Sequence, residues 1–253
     1  MTPATRTREI AERYAAVQAE VAAAARAAGR DPAEVTVVAV TKTWPAEVVV
    51  AAYEAGIRHV GENRPEELAE KRAAVEAQLG PDSGLVWHLI GPLQSRKTAL
   101  AAEHADLFHA LDRLKIARRL SRELVERGRT LPVFLQVNAS GEETKHGFDA
   151  ARWEEDEAQQ AALLAAAREV AGLPGLELRG LMTMAPWDAP PELIGSVFTR
   201  TRALAGWLAP RVPDASWSEL SMGMTDDFAL AIAAGATTVR IGRAIFGERP
   251  AGD

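Results

Sequence analysis

Eight short apolar runs, rich in β-branched residues, recur along this chain with amphipathic helical stretches between them, and that alternation restricts the fold more than any other feature. The runs cover 35–41 (VTVVAVT), 57–61, 85–91 (LVWHLIG), 106–111, 132–138 (PVFLQVN), 176–183, 217–222 and 238–242. Helices are predicted over 46–55, 64–79, 97–103, 113–127, 149–171, 191–208 and 226–234. Pro45 opens the first and Gly56 closes it, and Gly128, Gly172 and Gly235 close others. A strand apolar on both faces is buried on both, as in a parallel sheet covered by helices. Eight parallel strands close into a (β/α)8 TIM barrel of the α/β class, and 253 residues suit one such domain over 1–253. An open doubly wound sheet is the competing architecture. It needs fewer strands and a glycine-rich turn after the first, where this chain has Thr41-Lys42-Thr43-Trp44-Pro45. An extra amphipathic helix is predicted over 4–28, so that 1–34 flanks the barrel.

In such a barrel the chemistry sits at the C-terminal ends of the strands. The first ends in Lys42, the second in Glu62-Asn63, and the third carries His88 and ends in Gly91. The sixth ends in Met182-Thr183-Met184, the seventh in Ser221-Met222-Gly223-Met224-Thr225, and the eighth in Arg240-Ile241-Gly242-Arg243. Lysine occurs only at 42, 71, 97, 115 and 145, so arginine supplies the other 24 of 29 basic residues. Lys71 and Lys115 fall in charged helical runs and read as surface positions. Lys42, at the end of a buried strand, is set where desolvation frees an amine for Schiff-base formation. The plain alternative is a structural ion pair with Glu62.

The loops after the last two strands of a barrel frequently bind phosphate through backbone amides. Here Ser221 offers a hydroxyl, and Gly223 and Gly242 permit close backbone approach. Opposite a first-strand lysine, these loops suit a phosphorylated aldehyde. Arg240 has two readings. One is an ion pair inside the barrel, with Glu219 as candidate partner. The other is a cation beside a pyridine nitrogen, which it would keep unprotonated.

Composition narrows the alternatives. The chain has no cysteine, hence no disulfide, thiolate metal site or cysteine nucleophile, and its net charge of -6 argues against nucleic acid and anionic membrane as partners. No run is apolar for long enough to cross a bilayer. The first residues mix arginines with glutamates, unlike a signal or transit peptide, so the cytoplasm is the expected location. His88 reads equally as a mouth residue or a satisfied core histidine, while His104, His109 and His146 have no metal-ligand spacing. No metal site is expected, and the tryptophans read as packing or surface residues.

Seven stretches together resemble the pyridoxal phosphate homeostasis protein (YggS/PROSC) family: AVTKTWP around Lys42, GENRPEEL at 61–68, WHLIGPLQSRK at 87–97, LQVNASGEETKHGF at 135–148, GLMTMAP at 180–186, LSMGMTDDF at 220–228 and VRIGRAIFGER at 239–249. The resemblance implies a barrel like the N-terminal domain of alanine racemase (pyridoxal phosphate fold type III), with pyridoxal 5′-phosphate (PLP) as cofactor. It matches Lys42 to the Schiff-base lysine and Ser221, Gly223 and Gly242 to the phosphate loops. Arg240 matches the arginine facing the pyridine nitrogen, and Asn63 a residue beside the cofactor. It also implies a part in intracellular PLP balance and amino-acid homeostasis, without an established catalytic turnover. Four positions depart from the family pattern: Trp44 for a polar residue, Arg96 for Asn, His146 for Ser, and Arg243 for a small hydroxyl residue.

Three functions stay open on these residues. The first is a PLP carrier or regulator that captures, stores or delivers the cofactor, with PLP-dependent apoenzymes as recipients. The second is a weak racemase-like PLP enzyme, and the third is a PLP-free Schiff-base aldolase. A two-base racemase needs a second acid/base group, and the only tyrosines, Tyr14 and Tyr53, fall in helices away from the strand ends. The carrier is therefore favoured, with no catalytic residue assigned. A monomer is expected, because no long exposed apolar stripe stands out.

Overall fold

The computed structural model describes residues 2–142 and 144–248. Glu143 and Arg249, which belong to two of the stretches above, lie outside the described residues, as do Met1 and 250–253.

Eight parallel strands close a barrel: β1 (Thr36–Val40), β2 (His59–Glu62), β3 (Val86–Leu89), β4 (Leu107–Leu111), β5 (Leu131–Asn138), β7 (Leu176–Met182), β8 (Glu219–Ser221) and β9 (Thr238–Ile241). A two-residue strand, β6 (Phe148–Asp149), extends the sheet beside the end of β5. The barrel shuts where β1 pairs with β9, Thr36 opposite Thr238, and where β4 pairs with β5. Outside lie α2 (Ala46–Glu54), α3 (Pro65–Leu79), α4 (Thr98–His104), α5 (Leu114–Glu126), α6 (Glu157–Gly172), α7 (Pro191–Leu208) and α8 (Phe228–Ala233). Their buried faces meet the outward side chains of the strands in one continuous apolar core.

The N-terminal helix α1 (Pro3–Ala27) starts at a capping Thr2, whose hydroxyl accepts from the Thr5 amide, with Pro3 in the first turn. Ile10, Val17, Val21 and Ala25 form its buried stripe. Burying each valine or isoleucine contributes roughly 1.5–3 kcal/mol. The stripe packs on α2, α8 and the four-residue α9 (Arg243–Phe246), and so straddles the β1–β9 seam. Arg30 fastens the exit of α1, donating to the carbonyls of Ile232 and Ala236 behind α8.

Two segments differ from expectation. The helix expected from 149 begins only at Glu157, because Asp156 caps it by accepting from the Ala158 and Gln159 amides. Before that cap the chain turns, and the acidic stretch is not simply a solvated helix face. Trp153 is buried against Trp207, and Glu154 is held by Arg200. The second difference is α9, a helix after the last strand that the sequence pattern does not predict.

In β7, the register with β5 shifts between Val133 and Phe134. A bulge of this kind re-aims a strand, and beyond it Met182 packs with Phe134 and Leu107 in a small apolar cluster separate from the outer core. Gly180 makes the approach of β7 to β8 possible, since a Cβ there would fall 1.8 Å from the Glu219 carbonyl oxygen. Among the described residues no helix is long and apolar enough to cross a membrane.

Candidate cofactor site

A cavity of about 400 Å³ opens at the C-terminal mouth of the barrel, a size ordinary for small-molecule sites. Lys42, Asn63, Arg240 and Gly242 all line it. Ser221 and Gly223 do not. Trp44, Trp187, Met184, Met224, Thr225, Asp226 and Arg243 complete much of the wall. Two of the tryptophans read as packing or surface residues, Trp44 and Trp187, also form part of this wall. Trp187 stands on the rim with 73% of its surface exposed. Tyr14 and Tyr53 are away from the mouth, in α1 and α2.

The turn that presents Lys42 is held from below by a buried charge cluster. Lys71 donates to the Thr41 carbonyl at 2.8 Å, to Glu62 at 2.9 Å and to Glu67 at 2.6 Å. Thr41 Oγ donates to Glu62 at 2.6 Å, and the Thr43 amide to Glu67 at 2.6 Å. Thr43 sits at φ 69°, a left-handed conformation costly for a β-branched residue. The Glu67 contact and the bond from the Trp44 amide to the Thr41 carbonyl hold it there. Two readings are thereby corrected. Lys71 is buried, not a surface lysine, and it is the lysine that pairs with Glu62. Burial pushes the Glu62 carboxyl up to about 7, against the opposing pull of Lys71. Glu62 Oε2 is buried with no hydrogen-bond partner among the described residues.

Arg240 enters the cavity from β9 with only 5% of its surface exposed. Its Nη1 donates to Ser221 Oγ at 2.6 Å and its Nη2 to the Thr183 carbonyl at 3.0 Å. Of five N–H donors, the other three have no protein acceptor among the described residues. Burial draws its pKa down to about 10, and Asp227 works against that shift. Glu219 is not its partner, for that carboxylate faces Arg179 at 3.8 Å.

Ser221 is fully buried, its hydroxyl bonded to Arg240 and to His109 Nδ1 at 2.7 Å. It lies behind Arg240, not among the groups lining the cavity where it was expected to meet a phosphate. Gly223, at φ 98°, is required by packing, since a Cβ would come within 2.7 Å of Ala231 Cβ. It sets the path of the following loop, where Met224 and Thr225 reach the cavity. Gly242 is different. Chain neighbours aside, the nearest atom of the described residues to a Cβ built there is 3.4 Å away, so none of them requires glycine. Space on the cavity wall is what glycine preserves. Asn63 is seated by Gly91, where a Cβ would lie 2.3 Å from the Asn63 carbonyl oxygen. Arg243 grips the carboxylate of Asp226 across the rim.

The architecture and mouth define the class. The family of the alanine racemase N-terminal domain matches residues 13–250, and the solved alanine racemase of Streptomyces coelicolor shares the fold, with a TM-score of 0.68 at 16% identity over 96% of this chain and 58% of that one. Within that class the chain belongs to the pyridoxal phosphate homeostasis protein family. It is 43% identical to the Escherichia coli K12 protein of that name over 95% of this chain and 97% of the relative. It is 45% identical to the Pseudomonas aeruginosa one over 96% and 97%. PipY of Synechococcus elongatus, solved with PLP bound, superposes with a TM-score of 0.78 at 36% identity, over 94% of this chain and 100% of PipY.

Proposed function

We propose that this chain binds PLP at the barrel mouth through a Schiff base on Lys42 and serves intracellular PLP homeostasis by capturing, holding and releasing the cofactor. The observation that carries the reading is the meeting, in one cavity, of an amine (Lys42), a buried guanidinium with uncommitted donors (Arg240) and a glycine that no protein contact requires (Gly242). The donor set fits the cofactor's three polar ends. Lys42 Nζ, once deprotonated, attacks the aldehyde carbon, and water leaves as the imine forms. Backbone around Met224-Thr225 and Gly242-Arg243 receives the phosphate, at the start of α9 where amides lack helical acceptors. Ser221 and Gly223 support that loop and Arg240 from behind. Arg240 faces the ring nitrogen and, as a permanent cation, keeps it unprotonated. Asn63 lies beside the ring. PLP, when bound, supplies an electron-withdrawing ring conjugated to the imine. Arg240 weakens that withdrawal, and neither tyrosine lines the cavity to serve as a second acid/base group. Both points favour a carrier over a racemase. The names of the E. coli and P. aeruginosa relatives and the PLP-bound PipY structure support the same reading. We place the protein in the cytoplasm as a monomer, with PLP-dependent apoenzymes as recipients.

The test is an absorption spectrum with PLP, then borohydride reduction and peptide mass mapping. The expected result is a visible imine band and a phosphopyridoxyl adduct on Lys42, both lost in Lys42→Ala while its thermal transition remains. An adduct spread over Lys97, Lys115 and Lys145, or the absence of a band, overturns the reading.

A further inference from the structure

A single line of hydrogen bonds runs through the barrel from its base to Arg240. His59 Nδ1 lies 3.0 Å from His88 Nε2, His88 Nδ1 lies 2.8 Å from His109 Nε2, and His109 Nδ1 lies 2.7 Å from Ser221 Oγ. Ser221 Oγ in turn receives Arg240 Nη1 at 2.6 Å. Strand register explains the path. Gly61, two residues beyond His59, pairs with His88, and Leu107, which pairs with His88, lies two residues before His109. The imidazoles therefore climb the wall diagonally on β2, β3 and β4. The Ser221 bond then crosses to β8, and Arg240 lies two residues beyond Thr238, the register partner of Ser221. His88, His109, Ser221 and Arg240 are buried, His59 is half-buried, and the Phe134 ring meets His109 edge-on at 4.9 Å.

The chain has a direction. A guanidinium donates and never accepts, so Ser221 Oγ accepts from Arg240, and because His109 Nδ1 is its one other partner among the described residues, the buried hydroxyl hydrogen is satisfied only when it goes there. Both inner imidazoles are neutral at ordinary pH, because burial and neighbouring charge press their pKa values far down, that of His88 to about 3. A neutral imidazole that accepts at Nδ1 carries its hydrogen on Nε2. His109 therefore donates to His88 Nδ1, and His88 donates to His59 Nδ1. Each hydrogen bond is made only if all three rings take the same tautomer.

We propose that Ser221, His109 and His88 are positioning residues for Arg240, forming a one-way hydrogen-bond chain that orients the guanidinium toward the cofactor and is itself kept in register by it. The claim that Arg240 faces cofactor rests on the function proposed above. The chain and its tautomers do not.

Two measurements separate those layers. In the protein without PLP, nitrogen NMR of the histidine rings is expected to show His109 and His88 protonated on Nε2. Ser221→Ala should disturb the tautomers of both rings, and Ser221→Thr, which keeps the hydroxyl, should restore them. With PLP added, Ser221→Ala and His109→Leu should weaken cofactor retention about tenfold, the scale of one lost charge-assisted hydrogen bond. Ser221→Thr should retain it as the parent does. A His109 protonated on Nδ1, or tautomers indifferent to Ser221→Ala, overturns the chain. Equal retention in all variants overturns the positioning role. Failure of the parent protein itself to take PLP on Lys42 sinks the cofactor reading and leaves the tautomers found by NMR unaffected.

Discussion

Replacing His88 with glutamine should remove a fixed amount of acid sensitivity from the protein. Burial lowers the His88 pKa from 6.5 to about 3, so the folded state holds the ring neutral while the unfolded chain protonates it below 6.5. A base with a depressed folded pKa lends stability that is whole above the unfolded value and is lost as pH falls toward the folded one. At pH 5 the unfolded ring is almost wholly charged and the folded one is not. The loss relative to pH 8 is then about 1.5 pH units at 1.36 kcal/mol each, or about 2 kcal/mol. Because the folded value lies far below pH 5, this figure depends almost entirely on the unfolded pKa. Urea unfolding of parent and His88→Gln at pH 8 and pH 5 measures it as a difference of differences, in which the static cost of the substitution cancels. So, to first order, do the titrations of Glu62 and His109. The parent should lose about 2 kcal/mol more than the variant between the two pH values. Equal losses would refute the neutral, buried His88 and the directed chain with it.

Lys71→Met should cost about 3–5 kcal/mol in urea unfolding, because it breaks a buried pair and leaves the Glu62 carboxyl either charged without its counter-ion or forced to take up a proton. The double variant with Glu62→Gln should regain most of that, and a double variant no better than Lys71→Met would mean that the pair is not the source of the cost. Gly91→Ala should push the Asn63 backbone out of the cavity wall and weaken PLP retention while leaving the borohydride adduct on Lys42. Retention equal to that of the parent would show that the seat of Asn63 is immaterial.

What is legible in the sequence depends on whether the signal is local. The helix α7 can be read at both ends because Pro190-Pro191 and the apolar period mark it within the sequence. Lys42, Arg240 and Gly242 are readable because the end of a barrel strand is a position any strand reading supplies. The start of α6 escapes because Asp156 competes with an acidic, helix-compatible stretch, and a cap wins by one side-chain geometry rather than by composition. Lys71 misleads because its neighbours in α3 are charged, and only the docking of that helix beneath the Thr41 turn shows that it is buried. The histidine chain needs strand register. His59, His88 and His109 are far apart in sequence, and nothing in their spacing says that each lies two residues along from its neighbour's partner. Ser221 stands out in sequence at a strand end, yet its hydroxyl is spent on Arg240 and His109 instead of the cavity wall.

The seam beneath α1 has a consequence for synthesis. Thr36 must wait for Thr238 before the barrel can close. At about 5–20 residues per second, the ribosome takes roughly 10–40 seconds to make the chain between them. For that interval α1 has α2 to lean on but neither α8 nor α9, so part of its Ile10–Val17–Val21–Ala25 stripe faces water. β1 and the most recently made strand, finally β8, are meanwhile open sheet edges. A nascent chain stalled short of β9 is therefore a target for chaperones and a template for aggregation, and the arrival of β9 converts it into a closed barrel.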